Sequence, residues 1–161
     1  MNSKELFVRD TTVIKKSDNL FTAEVSDNWS IGNTANGGYS MTLAAKAMSE
    51  FLEHKDPLSI SAHYLDRVDF GATELHVTHL SSSKSLSTAR VELIQNNKIK
   101  IIFIGTFTDF SFKNDMNIYE RDVPSFPDYE SCEVIPYKEG FNPKLDKNCL
   151  LYTSPSPRDA E

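Results

Sequence analysis

The stretch NGGYSMTLAAKAMSEFLEH, residues 36–54, decides how the rest of the chain is arranged. Two rows of apolar residues recur in it at the spacing of an α-helix. These rows are Met41, Ala44, Ala45, Met48 and Leu52, and Leu43, Ala47 and Phe51. A helix that is apolar around much of its circumference is buried against other elements. We therefore predict a helix over residues 38–53, packed inside a sheet and ended by Asp56-Pro57, because the residue before a proline disfavours helical backbone.

Alternating apolar and polar residues, which are typical of strands, precede this helix once and follow it four times. The predicted strands are residues 20–26, 58–69, 73–82, 86–96 and 98–110. Asn96-Asn97 suits a tight hairpin between the last two strands, because asparagine tolerates positive φ. A strand, a long helix and an antiparallel meander predict an α+β fold. In this fold, the hotdog layout, a curved antiparallel sheet wraps around one central helix.

Composition and charge exclude several classes of protein. The 161 residues carry a formal charge of −6, and no basic run stands out, so we expect no nucleic-acid partner. The chain shows neither the apolar segment of a secretory signal nor an apolar stretch near the roughly 20 residues that span a bilayer. We therefore expect a soluble, cytoplasmic protein with no membrane partner. Cys132, Cys149 and four scattered histidines offer no disulfide framework or metal-ligand spacing, and no cofactor is expected.

The periodic pattern fades after about Phe112, which suggests a domain over residues 1–112. Residues 113–149 carry four prolines, many charges and little periodicity, and are interpreted as a linker or the start of a missing second domain. Residues 150–161, LLYTSPSPRDAE, resemble a translated adapter sequence and are interpreted as a non-native tail, the alternative being a natural Ser/Pro tail. With the first interpretation, the natural protein continues past about Cys149 and its second half is missing from this chain.

Three stretches within residues 20–110 resemble the N-terminal hotdog of the TesB-like (type II) acyl-CoA thioesterases. They are WSIGNTANGGYSMTLAAKAM, PLSISAHYLDRVDFGATELHVTHLSSSKSLSTARVELIQNNK and IIFIGTFTDF. The resemblance implies an acyl-CoA thioester substrate, a role in fatty acid metabolism and a paired-hotdog assembly. The pair would form with a second domain in the intact protein, or as a homodimer of this chain. It also implies that an Asp, a Ser/Thr and a Gln of the second hotdog carry out hydrolysis, so little or no activity is expected from this chain alone.

Asn36-Gly37-Gly38 is the candidate catalytic element. A helix N-terminus presents unpaired N–H groups and a partial positive charge, and glycine lets a ligand approach the backbone closely. A thioester carbonyl placed there would have its developing oxyanion stabilised. The alternative is that the glycines only permit a tight turn into the helix. Ser85, Ser87 and Thr88 lack the G-x-S-x-G pattern of an exposed nucleophile and are interpreted as strand and turn residues.

Four further residues are candidates for substrate binding. Tyr39 and Tyr64 are expected to line an acyl half-site, and His63 either contacts substrate or is an ordinary sheet histidine. Gln95 matches a family glutamine beside the hairpin and either contacts the ligand or is exposed to solvent. His63 and Asp66 are expected on opposite faces of one strand, so they form no acid–base dyad, and Asp66 is interpreted as a solvated strand end.

Three functions remain open from the sequence. The chain is part of an acyl-CoA thioesterase, a non-catalytic hotdog that binds acyl-CoA or an acyl-carrier protein, or a structural pairing module. A ligand cavity would argue against the third function. Thioester hydrolysis by the full-length protein would separate the first function from the second.

Overall fold

The computed structural model describes residues 3–111 of the chain, together with Ser125 and Asp128. The interpretations of residues 113–149 and 150–161 otherwise lie outside the described residues. The helices are α1 (Ser3–Asp10) and α2 (Gly37–Phe51), and a short 3-10 turn covers Asp27–Trp29. The strands are β1 (Val13–Lys15), β2 (Leu20–Val25), β3 (Ser30–Ile31), β4 (Thr34–Ala35), β5 (Asp56–Tyr64), β6 (Gly71–Ser82), β7 (Ser87–Gln95) and β8 (Lys98–Thr108). Neither helix is long and apolar enough to cross a membrane.

Six strands form one antiparallel sheet in the order β1-β2-β6-β7-β8-β5. Helix α2 packs against all six of them, so the sheet wraps around the helix as predicted. The strands β3 and β4 form a separate two-stranded ribbon just before α2. The predicted α+β layout, with one central helix, is therefore confirmed.

The buried face of α2 consists mainly of small and flexible residues, which lets the sheet approach closely. Leu43, Ala44, Ala47 and Met48 are fully buried in the hydrophobic core. The closest fit is between Met48 and Gly105 of β8, because a Cβ atom at position 105 would lie 2.5 Å from the Met48 sulfur. A glycine in the middle of β8 is therefore required for this helix to sit on the sheet.

The hairpin between β7 and β8 turns at the predicted residues. Asn96 and Asn97 have φ angles of 52° and 59°, which is the left-handed backbone that a two-residue turn requires. The turn sets the pairing of Gln95 with Lys98 at the end of the hairpin. This end of the hairpin lies beside the loop that follows β5, and that position matters for the candidate site.

The prediction of a strand over residues 58–69 is wrong at its end. Strand β5 stops at Tyr64, and the backbone N–H groups of Leu65 and Asp66 both bond to the Lys100 carbonyl, at 2.9 and 3.0 Å. Because two successive amides share one acceptor, the regular ladder cannot continue. Residues 65–70 instead form a loop.

Helix α1, which the sequence pattern did not predict, is held by the carboxylate of Asp10. That carboxylate accepts hydrogen bonds from Asn28 Nδ2 at 2.8 Å and Trp29 Nε1 at 3.1 Å, and from Arg9 at 2.7 Å. Burial raises the pKa of Asp10, but the hydrogen bonds from Asn28, Arg9, Ser26 and Trp29 outweigh it, so the net pKa is lowered. The network anchors α1 to the segment that leads into α2.

Candidate functional site

Asn36 caps helix α2 and determines which of its first N–H groups are available. The Asn36 Oδ1 accepts from the N–H groups of Gly38, at 2.7 Å, and Tyr39, at 3.3 Å. The N–H of Gly38 is therefore used by the protein itself, which corrects the prediction that it is free for a ligand. The N–H of Gly37 forms no hydrogen bond with the described residues. Of the Asn36-Gly37-Gly38 element, Gly37 is the residue that can donate to a ligand.

Space, and not backbone conformation, is what the two glycines provide at the start of the helix. Neither Gly37 nor Gly38 has a positive φ, and Asn36 enters the helix with extended backbone at φ −61° and ψ 138°. At position 38 a Cβ atom would lie 3.2 Å from Asn36 Oδ1, so glycine there leaves room for the cap. At position 37 the requirement is space: a Cβ atom there would lie 2.9 Å from the hydroxyl oxygen of Tyr64.

A surface cavity of about 400 Å³ lies beside Gly37. One side is formed by β4 and Gly37, and the other by Tyr64 and the loop that follows it, residues 65–68. Ile101 of β8 closes the floor. The structure therefore brings together two of the predicted site residues, Gly37 and Tyr64, at an open cavity.

The charged groups of the cavity are Asp66 and Arg67. Asp66 Oδ2 accepts from Lys100 Nζ at 2.8 Å, and Oδ1 accepts from the backbone N–H of Arg67 at 2.8 Å. The hydrogen bond from Lys100, followed by the one from Arg67, holds the pKa of Asp66 below its usual range. Asp66 is thus more than a solvated strand end: it is an ion-paired carboxylate with both oxygens engaged. The Arg67 guanidinium has no partner among the described residues.

Gln95 is buried, with 6% of its surface exposed, so the expectation of a solvent-exposed glutamine is wrong. Its Oε1 accepts from the N–H of Asp69 at 2.9 Å, and its Nε2 donates to the carbonyl of Asp69 at 2.8 Å. Both ends of the side-chain amide are engaged with the loop behind the cavity.

Tyr39 and His63 lie away from the cavity. Tyr39 is buried, its ring stacks on Trp29, and its hydroxyl donates to the Asp10 carbonyl at 2.7 Å while it accepts from the Ser26 N–H at 3.0 Å. His63 is exposed and pairs with Ile102, so it points to the opposite face of the sheet from Tyr64. Tyr39 therefore stabilises the fold in this structure. Asp66 lies in the loop after β5 and not on the strand, so the predicted placement of His63 and Asp66 on opposite faces of one strand is wrong.

A serine–histidine contact that sequence reasoning missed lies at the other end of α2. His54 Nε2 is 3.2 Å from the Lys84 carbonyl, which can only accept, so this nitrogen carries the proton. With a neutral imidazole, the Ser87 hydroxyl, 2.6 Å from His54 Nδ1, donates to it. Ser87 is fully buried, so no substrate can reach it, and the interpretation of Ser87 as a strand residue holds.

No metal site accompanies these residues. Within residues 3–111, Ser125 and Asp128, no group of three or more His, Cys, Asp or Glu side chains is placed to hold an ion. The groups that line the cavity include the Gly37 backbone, the Tyr64 ring, the ion-paired carboxylate of Asp66 and the guanidinium of Arg67, which has no partner among the described residues.

An antiparallel sheet wrapped around one helix, with a cavity at the helix N-terminus, defines a hotdog-fold protein. Residues 25–109 match the family model described as the acyl-CoA thioesterase N-terminal domain. This match covers just over half of the chain, and the chain belongs to that family. No curated protein matches the sequence.

Solved structures of low sequence identity share the fold. The chain is similar to the tesB protein of Mycobacterium avium subs paratuberculosis, with 20% identity and a TM-score of 0.68 over 80% of this chain and 50% of that one. A hotdog-fold protein of unknown function from Alicyclobacillus acidocaldarius has 13% identity and a TM-score of 0.70, over 83% of this chain and 50% of that one. The acyl-CoA thioesterase II TesB2 of Mycobacterium marinum has 15% identity and a TM-score of 0.62, over 78% of this chain and 46% of that one. The chain spans about half the length of each.

Proposed function

We propose that this chain is the first hotdog of an acyl-CoA thioesterase-like protein and that it binds the acyl thioester in the cavity beside Gly37. The observation that carries the proposal is the N–H of Gly37, which has no partner within residues 3–111 and lies at a cavity in a member of the thioesterase family. This donor and the positive end of the α2 dipole would stabilise negative charge on the thioester oxygen as a tetrahedral intermediate forms.

Hydrolysis also needs a group that activates water. Among the residues that line the cavity, Asp66 is the only carboxylate, and both of its oxygens are engaged by Lys100 and the backbone of Arg67. A carboxylate whose pKa is lowered in this way is a weak base. The chain would therefore contribute oxyanion stabilisation and substrate contacts, while the base comes from a second hotdog.

The free edge of β5 is the place where that second hotdog would pair. Among the described strands, β5 pairs only with β8, so one edge of Asp56–Tyr64 leaves its N–H and C=O groups available for another strand. Tyr64, the last residue of this strand, lines the cavity. A partner sheet at this edge would thus bring its own residues beside Gly37. In the intact protein the partner would be the second domain, and for this chain it would be a second copy.

The test of substrate binding uses a non-hydrolysable acyl-CoA thioether in titration calorimetry, and steady-state hydrolysis of one short and one long acyl-CoA. We expect weak thioether binding and little or no turnover by this chain. Gly37→Leu places a side chain in the cavity and should weaken binding by about tenfold or more, roughly 1.4 kcal/mol. Glu50→Leu is the control, because Glu50 is exposed near the other end of the same helix and does not line the cavity. Equal affinities in both variants would sink the proposed site.

The test of pairing is sedimentation equilibrium at micromolar concentration, where we expect a dimer or larger aggregates. Ser59→Lys combined with Ser61→Lys places like charges along the β5 edge and should raise the dimer dissociation constant. Thr78→Lys is the control, since Thr78 is also exposed but lies on β6, three strands away from the β5 edge. A stable monomer of the unmodified chain would contradict the expected pairing.

A non-catalytic hotdog that binds acyl-CoA or an acyl-carrier protein is the second candidate, and the occupied carboxylate of Asp66 favours it. Under this alternative the thioether binds, but no turnover is found even when the chain is paired. Turnover of about 1 s⁻¹ or more, the lower end for ordinary enzymes, would exclude it.

A further inference from the structure

Residues 65–68 of the loop 65–70 line the cavity beside Gly37, and polar groups from other elements hold this loop in place. The carbonyl of Val68 accepts from Thr34 Oγ1 and from the Ala35 N–H, both at 3.0 Å. Val68 itself is 3% exposed and belongs to the hydrophobic core. The loop is thus tied on one side to the strand that leads directly into Gly37.

The other side of the loop is held by Gln95. Its amide pairs with both backbone groups of Asp69, accepting from the N–H and donating to the carbonyl, as a neighbouring strand would. A second, longer contact of 3.5 Å joins Nε2 to the Ala72 carbonyl. Leaving a buried polar group unpaired is unfavourable, because the group has given up its hydrogen bonds to water and gains none in return. If Gln95 rotated toward a ligand, it would therefore lose both of its hydrogen bonds to Asp69.

Lys100 holds the same loop from the next strand. Its side chain is 9% exposed, and Nζ lies 2.8 Å from Asp66 Oδ2 and 3.9 Å from Asp69 Oδ2. Gln95 and Lys100 lie on either side of the Asn96-Asn97 turn. The end of the β7–β8 hairpin therefore presents one buried amide and one buried ammonium group to the back of the cavity wall.

We propose that Gln95 is a positioning residue for the thioester cavity and that it acts through Asp69 rather than by touching the ligand. Together with Lys100 it fixes the separation between residues 65–70 and Gly37, and so sets the width of the cavity. This inference rests on the proposed function, because the width matters only when an acyl thioester lies beside Gly37. In this role Gln95 supports the wall of the cavity and takes no part in the reaction itself.

The test compares Gln95→Met, which keeps the size of the side chain and removes both hydrogen bonds to Asp69, with Ser87→Ala. Ser87 lies at the opposite end of β7 and away from the cavity, so its variant is the control for a general loss of stability. Hydrogen exchange of the backbone amides is measured by NMR in both. We expect exchange of the Asp69 amide to accelerate by about tenfold or more in Gln95→Met, the loss of about 1.4 kcal/mol of local protection. In Ser87→Ala the exchange rate of the Asp69 amide should increase no more than the exchange rates of the amides in the central strands.

Affinity for the acyl-CoA thioether is the second readout, and we expect about a tenfold weakening in Gln95→Met and little change in Ser87→Ala. Uniform acceleration across β6–β8, or an unchanged Asp69 amide, overturns the positioning role. Faster loop exchange with unchanged affinity overturns it as well. If the unmodified chain does not bind the thioether, the proposed function fails, and the exchange data alone decide whether Gln95 holds the wall. Gln95→Leu, which also removes both hydrogen bonds to Asp69, replaces Gln95→Met if the latter does not fold, with the same expected direction in both readouts.

Discussion

The phenol ring of Tyr64 lies directly over Gly37, the first residue of the central helix. A Cβ atom at position 37 would lie 2.9 Å from the Tyr64 hydroxyl oxygen and 3.0 Å from two ring carbons. The contact joins the end of an edge strand to the start of a helix that packs against the sheet. It makes the size of residue 37, rather than its backbone conformation, the property that the cavity depends on.

This contact predicts a coupling between the two positions. Gly37→Ala should gain helix propensity of up to about 1 kcal/mol but displace the Tyr64 ring, so its net effect on the free energy of unfolding is small. In a Tyr64→Ala background the same substitution meets no ring and should stabilise the protein by about 0.5–1.5 kcal/mol more. Urea unfolding of the four proteins of this double-mutant cycle measures the coupling energy. Additive effects would mean that the ring moves away at no cost.

The cap of α2 predicts a loss of stability when Asn36 is truncated. Asn36→Ala removes the acceptor for the N–H groups of Gly38 and Tyr39 and should lower the free energy of unfolding by about 1 kcal/mol. Asn36→Asp keeps an acceptor at the same place and adds a negative charge at the positive end of the helix, so it should be neutral or stabilising. Chemical unfolding at pH 7 measures both. A stable Asn36→Ala variant would show that the cap is not needed to begin this helix.

The network at Asp10 predicts a specific sensitivity to acid. The pKa of Asp10 is lower in the folded protein than in the unfolded chain, so its contribution to stability is complete above about pH 4 and is lost as the pH falls through the folded pKa. Asp10→Asn removes the charge and should lower the free energy of unfolding at pH 7 by about 2 kcal/mol. The difference between the two proteins should shrink below pH 4. Thermal melts of both proteins from pH 3 to 7 measure this difference in stability. A difference that stays constant over this range would disprove the acid sensitivity assigned to Asp10.

The buried contact of His54 with Ser87 predicts a structural cost for removing the hydroxyl. Ser87→Ala leaves His54 Nδ1 without a donor and should lower the free energy of unfolding by about 1–3 kcal/mol. Ser82→Ala is the control, because Ser82 also bonds to Ser87 but is exposed, so water can take its place. Its effect should stay within about 0.5 kcal/mol. Equal losses in the two variants would mean that the serine chain, and not the histidine contact, carries the stability.

Apolar periodicity predicted the central helix and the four following strands because it reports burial directly. The end of β5 could not be predicted in this way, since it depends on two amides that meet the carbonyl of Lys100, far away in the sequence. Helix α1 was missed for a similar reason. It is held by the contact of Phe7 with Trp29, whose ring centroids lie 5.0 Å apart, and by the carboxylate of Asp10.

The candidate site was predicted in part. The glycine-rich helix start and Tyr64 were both identified, and the structure places them together. Residue type alone could not tell that Asn36 occupies the N–H of Gly38, or that Tyr39 turns inward to the Asp10 carbonyl. The burial of Gln95 depends on its hydrogen bonds to Asp69 in the loop that follows β5, a contact between distant parts of the chain that its place beside the hairpin did not reveal.

The two edges of the main sheet differ greatly in length. Strand β5 offers nine residues, whereas β1 offers three and is followed by a further lysine, Lys16. A unit with one long open edge can pair with one other unit only, and among the described strands the outer strand left for further growth is then the three-residue β1. A second long edge would make the unit divalent, and open-ended fibres could then form. The brevity of β1 thus limits the stoichiometry of any assembly that begins at β5.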